Sequence, residues 1–213
     1  MRAICKLNKK TAFMKYLLST PYKGNRHYIH GTDLFNAVQA LAGKVTGVKG
    51  AYISKLLLTR FAYRQCELVT YPSIVISDVK PTGEGVFRLP NGNDQVFFLY
   101  EGEVEPIERS PYDEEGIVAA AIFKGNSAIL SAPFQYSSIE VVIALTKALN
   151  YQAALPKEGK WIFGKIELTQ PLPPIENKLN ITRTKSVQGR FSANEINIDG
   201  VTVGTIQFIA GTP

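Results

Sequence analysis

The stretch WIFGKIELTQPLPPIENKLNITRTKSVQGRFSANEINIDGVTVGTIQFIAG, residues 161–211, decides the fold. It opens with an apolar run, reaches a cluster of prolines, continues with alternating residues, and closes around the dipeptide Asp199-Gly200. Asp-Gly suits the positive φ angles of a two-residue hairpin. The stretch therefore predicts a strand, a proline-marked bend, a second strand and a closing antiparallel hairpin.

An earlier part of the chain carries the same pattern. SKLLLTRF, at 54–61, aligns with GKIELTQP, at 164–171, so that a lysine, a leucine and a threonine coincide. The hairpin dipeptides Asn91-Gly92 and Asp199-Gly200 follow these two segments at nearly the same distance. Because the features recur in one order at nearly constant spacing, the sequence indicates an internal duplication.

A helix is predicted ahead of each repeated strand. TDLFNAVQALAGKV and YSSIEVVIALTKALN both place apolar residues at helical spacing. Short polar side chains at the start of each segment can accept hydrogen bonds from the exposed amides of a first turn. The expected caps are Thr32 or Asp33 for the first helix and Ser137 or Ser138 for the second.

The segment between the copies, EGEVEPIERSPYDEEG, is acidic and contains two prolines, as an exposed linker does. The predicted organisation is a first repeat at 1–105, an acidic linker at 106–116 and a second repeat at 117–213. Such copies cover their sheet edges when they pair side by side. We therefore predict an α+β fold of two antiparallel sheets, each wrapped around a central helix and joined into one continuous sheet.

This arrangement resembles the hot-dog fold, specifically a double hot-dog with both halves on one chain. Residues 161–211 carry the resemblance through the strand, the proline-marked bend, the next strand and the closing Asp-Gly hairpin. The resemblance implies an acyl-thioester enzyme, either a dehydratase or hydratase or a thioesterase. Its substrate would be carried by coenzyme A or by an acyl carrier protein, and no cofactor is implied.

The resemblance also implies a pair of catalytic residues. Hot-dog dehydratases place a histidine near the approach to one central helix and a carboxylate on the helix of the other copy. These roles would fall to His30, or His27, and to Glu140. The positive end of a helix favours neutral imidazole, and an apolar helical run would raise the pKa of Glu140 so that it serves as an acid. The chain departs from the family in carrying HYIHGTD where dehydratases carry a Pro-Gly-rich loop.

A thioesterase of this fold would use a helix carboxylate as base or nucleophile, which points to Asp33 or Glu140. In either chemistry, the backbone amides of Gly31 and Thr32 would polarise the thioester carbonyl. Gly31 would let that carbonyl approach closely. The acyl chain would then lie between the helix and the sheet, against Phe35.

Composition limits the classes of protein to which this chain can belong. The chain has 213 residues, 45% of them hydrophobic and 20% charged, which is typical of a folded globular protein. Apolar stretches such as GIVAAAIF are too short to span a bilayer, and lysines interrupt the N-terminal segment, so we expect a cytoplasmic protein with no membrane partner. Cys5 and Cys66 have no CxxC spacing, which favours buried free thiols and gives no indication of a metal site.

The net charge of +6 favours an anionic partner. An acidic carrier protein, coenzyme A and nucleic acid all satisfy this condition. Two alternatives to an enzyme therefore remain: a non-catalytic hot-dog module that binds acyl groups or scaffolds partners, and an RNA-binding protein of two ferredoxin-like halves. The RNA-binding alternative ranks below the other because the aromatic motif of such domains is missing. A homodimer is compatible with each of these alternatives.

Overall fold

The computed structural model describes residues 14–70, 79–131 and 135–212. Thirteen strands and three helices lie in these ranges: β1 (Met14–Leu18), β2 (Tyr22–Lys23), α1 (Gly31–Thr46), β3 (Tyr52–Leu58), β4 (Cys66–Thr70), β5 (Gly83–Arg88), β6 (Asp94–Glu101), β7 (Arg109–Ser110), α2 (Glu114–Ala119), β8 (Ile122–Lys124), β9 (Ser127–Ser131), α3 (Ser138–Ala153), β10 (Lys160–Leu168), β11 (Lys178–Val187), β12 (Phe191–Ile198) and β13 (Val201–Gly211). Cys66 is a buried free thiol, as predicted, and Cys5 lies outside the described residues.

Eleven strands form one continuous sheet in the order β1-β4-β6-β5-β3-β10-β13-β12-β11-β9-β8. The helix α1 packs against β1 and β3, whereas α3 packs against β9, β10, β11 and β12. Each half of the sheet therefore covers its own long helix, which confirms the predicted α+β architecture. None of the helices in the described part of the chain is long and apolar enough to cross a membrane.

The two halves of the sheet meet at β3 and β10, which pair antiparallel. In this pair Leu56 lies opposite Ile166, and the same two positions coincide when the repeated segments are aligned. Equivalent residues thus face each other across the join. The internal duplication that the sequence indicates is expressed as an approximate two-fold axis through this pair.

Both predicted hairpin turns are confirmed. Gly92 has φ 83° between β5 and β6, and Asp199 and Gly200 have φ 51° and 87° between β12 and β13. The two hairpins are nevertheless inserted in the sheet in opposite order. In the first hairpin the leading strand, β5, pairs with β3, whereas in the second hairpin the trailing strand, β13, pairs with β10. The reason is strand direction: β4 and β5 run the same way and cannot form a hairpin, while β11 reverses directly into β12.

The helix α1 does not begin as predicted. Its N-cap is His30, which has extended φ and ψ angles and makes no side-chain cap, so the expectation of a Thr32 or Asp33 cap is wrong. Both of those side chains are instead engaged by Lys23. The helix ends at Gly47, whose φ of 70° is the left-handed conformation that glycine adopts without steric cost.

The start of α3 agrees with the prediction. Ser137 is the N-cap; its backbone N–H and hydroxyl donate to Glu140 Oε2 at 2.8 and 2.7 Å, and its side chain accepts from the backbone N–H of Glu140. This reciprocal arrangement is a capping box, which satisfies polar groups of the first turn that the helix itself leaves without partners.

The predicted linker segment contains structure of its own. β7 pairs parallel with β2 and sets Ser110 beside Lys23, while the Arg109 guanidinium donates to the carbonyls of Gly24 and Arg26, each at 2.9 Å. The following helix α2 packs on α3. This segment therefore holds the loop ahead of α1 against the second half of the protein. The exact division into repeats and linker stays a prediction.

Candidate active site

A buried lysine lies between the N-termini of the two long helices. The Lys23 side chain is 2% exposed, and its ammonium group contacts Asp33 Oδ1 at 2.7 Å, Thr32 Oγ1 at 3.0 Å and Glu140 Oε1. The Tyr112 ring covers the same group, with its centroid 4.8 Å from Nζ. Each of the three ammonium hydrogens therefore has one oxygen partner.

The carboxylates beside Lys23 differ in their proton affinity. Burial raises the pKa of Glu140, but hydrogen bonds from Lys23 and Ser137 outweigh that effect and hold the pKa below its usual value. The predicted raised pKa of Glu140 is therefore wrong, because α3 and Lys23 both donate to its charged form. Burial raises the pKa of Asp33, and the hydrogen bond from Lys23 only partly opposes this. Asp33 Oδ2 is buried without a hydrogen-bond partner in the described part of the chain.

His30 lies beside this cluster. Its Nδ1 is 2.7 Å from Thr32 Oγ1, and its ring centroid is 5.9 Å from that of Tyr112. Burial lowers the pKa of His30 well below its usual value, and the positive charges of Arg26 and Lys23 lower it further. The prediction of a neutral imidazole is confirmed in direction. Burial and neighbouring cations supply the cause, where the sequence suggested the helix terminus.

A cavity of about 370 Å³ opens next to His30 and Gly31. It lies between the start of α1, the end of β3, the middle of α3, the start of β10 and the end of β13. Aromatic and aliphatic side chains form most of its wall; they include Leu34, Leu58, Ile143, Trp161, Phe163 and Phe208. Among the described residues, the lining also includes four cations and no carboxylate: Arg26, Arg60, Lys147 and Lys160. The cavity therefore suits a ligand with an apolar part and an anionic part.

The four cations are not equivalent. Arg26 and Lys147 share the carboxylate of Glu114, at 2.8 and 2.9 Å, so their charges are partly neutralised. Lys160 donates to the Tyr28 hydroxyl at 2.9 Å and lies 4.7 Å from the centre of that ring. The Arg60 guanidinium donates to the carbonyl of Lys80. Among the described residues, Lys160 and Arg60 have no carboxylate partner, which leaves them available to an anion.

The candidate residues fall into two groups in the structure. Lys23 brings together four of the candidate residues, namely His30, Thr32, Asp33 and Glu140. Of all the candidates, His30 and Gly31 line the cavity. His27 is exposed and Phe35 lines a second cavity, of about 670 Å³, at the start of α3. A Cβ at Gly31 would lie 2.7 Å from the Phe163 ring and 3.0 Å from Leu58, so the space beside this glycine is filled by packing.

Lys23 and Tyr112 were not found from the sequence. Lysine is among the residues least often buried, and Lys23 stands in the ordinary loop sequence PYKG, so neither composition nor spacing marks it. Tyr112 belongs to the acidic segment that the sequence indicates as an exposed linker. Only the pairing of β2 with β7 brings both residues to the start of α1.

No protein-family model and no curated protein matches this chain. Solved structures do. The GphF dehydratase is similar with a TM-score of 0.50 and 10% identity over 93% of each chain. The dehydratase domain of PpsC from Mycobacterium tuberculosis, in complex with C12:1-CoA, has a TM-score of 0.48 and 8% identity over 93% of each chain. The pyran synthase domain from module nine of the sorangicin pathway has a TM-score of 0.48 and 11% identity over 94% of this chain and 93% of that one.

The likeness to the GphF dehydratase shows the fold. This chain has the double hot-dog fold, as its sequence predicts, with one central helix in each half of a continuous sheet. The alternative of two ferredoxin-like halves, on which the RNA-binding hypothesis rested, is therefore wrong. A shared fold does not identify a reaction, because the reaction depends on the residues of the site.

Proposed function

We propose that this protein binds an acyl thioester, carried by coenzyme A or an acyl carrier protein, and catalyses its dehydration or hydration. One observation supports this most: neutral His30 lines an apolar cavity whose charged lining residues, in the part of the chain that the structure describes, are all cations. The similar structure that shows the fold is a dehydratase by name. We place the reaction in the cytoplasm, and a homodimer remains compatible with it.

The cavity divides naturally between the two parts of such a substrate. The acyl chain would pack against Phe163, Phe208 and Ile143, which are mostly or fully buried. The phosphate groups of the carrier arm would meet Lys160 and Arg60, the two lining cations without a carboxylate partner in the described residues. Charge complementarity of this kind favours the correct orientation of the thioester.

Dehydration removes a proton from Cα of a 3-hydroxyacyl thioester and hydroxide from Cβ, which together leave as water. The products are the 2-enoyl thioester and one water molecule, and hydration is the reverse. A neutral imidazole can exchange or share a proton at the reacting atoms, because it carries one donor and one acceptor nitrogen. His30 is the side chain of the candidate pair that meets the cavity, while Glu140 stays behind it as the partner of Lys23.

Two alternative functions are thioester hydrolysis and acyl binding without turnover. Thioester hydrolysis through Asp33 or Glu140 is less favoured, because both carboxylates are bound to Lys23 and neither lines the cavity. Acyl binding without turnover is the second candidate function. It is favoured by the lowered pKa of Glu140, which leaves this group ionised and unable to give a proton to the departing hydroxide.

The test is turnover of a panel of coenzyme A thioesters, both 3-hydroxyacyl and 2-enoyl, by the full chain, followed by the absorbance of the conjugated enoyl group. We expect His30→Ala to lower turnover by at least about 100-fold, the usual contribution of a positioned acid-base group. His27→Ala is the matched control, since this histidine is exposed and outside the cavity lining.

Calorimetric binding of the same thioesters separates the two candidate functions. Binding without turnover by the unmodified protein supports the acyl-binding function over the enzyme. Equal turnover by His30→Ala and the unmodified protein contradicts the role of His30, and absence of both binding and turnover contradicts the proposal as a whole.

A further inference from the structure

A buried hydroxyl group connects Lys23 to His30. Thr32 is fully buried, and its Oγ1 lies 3.0 Å from Lys23 Nζ and 2.7 Å from His30 Nδ1. These are the two hydrogen-bond partners of this oxygen among the described residues. A threonine hydroxyl carries one hydrogen to donate and two lone pairs that accept.

The hydrogen atoms in this chain of contacts can be assigned one by one. The Lys23 ammonium has hydrogens only to give, so Thr32 Oγ1 accepts from it. Asp33 Oδ1 and Glu140 Oε1 contact the same nitrogen, so all three of its oxygen neighbours act as acceptors. The Thr32 hydrogen then needs an acceptor, and His30 Nδ1 is the atom within reach. The opposite arrangement, with Nδ1–H donating to Oγ1, would leave the buried hydroxyl hydrogen without an acceptor, which is unfavourable for a polar group away from water.

We infer that Lys23 is a positioning residue that acts through Thr32 to hold His30 in the tautomer with its proton on Nε2. Nδ1 accepts from the Thr32 hydroxyl, and Nε2 has no hydrogen-bond partner among the described residues. Toward a ligand in the cavity, His30 then presents an N–H donor. This orientation is suited to polarising the thioester carbonyl or to giving a proton to the departing hydroxyl, which is the acid role in the acid-base chemistry proposed for His30.

The tautomer assignment stands on the contacts of Lys23, Thr32 and His30 alone. The action of the N–H group on a thioester oxygen rests in addition on the proposed function. The two parts are tested by different measurements, so failure of one is distinguishable from failure of the other. A protein without turnover would overturn the proposed function and leave the tautomer unaffected.

The first measurement is the nitrogen-15 spectrum of the histidine rings in the uniformly labelled full chain at neutral pH. Protonated and unprotonated ring nitrogens give well-separated signals, and the exposed His27 provides a second histidine in the same spectrum for comparison. We expect His30 to show an unprotonated Nδ1 and a protonated Nε2. A protonated Nδ1 in the unmodified protein would overturn the inference.

Thr32→Val and Thr32→Ser form a matched pair. Valine has nearly the shape of threonine without the hydroxyl, so the Nδ1 signal should move toward that of an unbonded nitrogen. Serine keeps the hydroxyl and should leave the signal in place. An Nδ1 signal that is the same in Thr32→Val as in the unmodified protein would show that the hydroxyl does not donate to His30, which overturns the relay.

Lys23→Met tests the lysine itself. Without the ammonium donor, Oγ1 is free to accept from the ring, so the fraction of His30 protonated on Nδ1 should rise. Glu140→Gln is the control, because Lys23 keeps its contacts with Asp33 and Thr32 and the tautomer should not change. A folded Lys23→Met protein with the original tautomer would reduce Lys23 to a structural role. Should that variant fail to fold, the two Thr32 variants still decide the relay.

Discussion

The N-termini of α1 and α3 are equivalent in the duplication, yet they are built differently. Both helices have 16 residues and lie under their own half of the sheet. The start of α3 is closed by the capping box of Ser137 and Glu140. The start of α1 has no side-chain cap and places His30 and Gly31 against a cavity. One copy thus satisfies its own first turn, while the other leaves groups available to a ligand.

The N-terminus of α3 also stabilises the N-terminus of α1. Glu140 gives Oε2 to the cap of α3 and Oε1 to Lys23, so one carboxylate serves both helix starts. Lys23 in turn holds Thr32 and Asp33 in the first turn of α1. In this approximate duplication the first turn of one helix is closed by its own side chains, and the first turn of the other lies at the candidate site. Four comparisons test this difference between the helix starts.

The largest effect is expected from Lys23→Met. It leaves the carboxylates of Asp33 and Glu140 buried without their cation, and the loss of one partner from a buried ion cluster costs about 3–5 kcal/mol of unfolding free energy. Urea unfolding measures this. Lys15→Met is the matched control, since the Lys15–Glu67 pair is largely exposed and should contribute no more than about 1 kcal/mol. Equal losses would mean that Lys23 does not connect the two helix starts.

The next largest effect is expected from Gly31→Ala. The added Cβ would lie 2.7 Å from Phe163 and 3.0 Å from Leu58, an overpacking that costs about 1–3 kcal/mol. Gly43→Ala in the same helix meets nothing closer than the Val48 carbonyl at 3.7 Å and should stabilise by about 0.5–1 kcal/mol. Thermal denaturation compares the two. Stabilisation by both substitutions would show that the first turn of α1 is not tightly packed against the sheet.

A smaller effect is expected from Ser137→Ala, which opens the capping box of α3. Loss of a serine N-cap costs about 1 kcal/mol. Ser137→Thr keeps the hydroxyl and should retain most of the stability. Chemical unfolding of both variants is the measurement, and an alanine variant as stable as the threonine one would remove the difference between the helix starts.

The smallest effect concerns pH. The folded pKa of His30 is lowered from 6.5, so the unfolded chain binds this proton more readily and stability is lost as the pH falls below about 6.5. Between pH 7.5 and 6.0 the loss is less than about 1 kcal/mol. Unfolding midpoints over this range should fall more steeply for the unmodified protein than for His30→Asn. Parallel curves would mean that His30 takes up a proton as easily in the folded state as in the unfolded one.

The sequence predicts the fold well because the fold depends on periodic features. Apolar spacing marks both long helices, Asn91-Gly92 and Asp199-Gly200 mark both hairpins, and the alignment of the repeated segments matches Leu56 with Ile166, its partner across the join. These signals are local, and turn chemistry and side-chain spacing are sufficient to produce them. The order of the strands within the first half was not predicted, since strand pairing between distant segments leaves no local trace.

The candidate site, in contrast to the fold, is only partly predictable from the sequence. His30 and Glu140 carry signals in the sequence, as a histidine before a helix and a carboxylate within an apolar run. Their electrostatic state depends on Lys23 and Tyr112, which come from a loop and from the acidic segment between the copies. Proton affinity is set by burial and by the charges within a few ångströms, and those distances exist only after folding. For this reason the pKa shift predicted for Glu140 had the wrong direction.

By itself, the sequence determined the duplication, the two central helices, the hairpins and the residue types available at the start of α1. Folding into the tertiary structure was needed to show that His30 lines a cavity, that the pKa of Glu140 is lowered, and that Lys23 is buried between two carboxylates. The physical reason is range: backbone preferences and apolar periodicity act over a few residues of chain, whereas a buried charge is governed by whichever groups folding brings beside it.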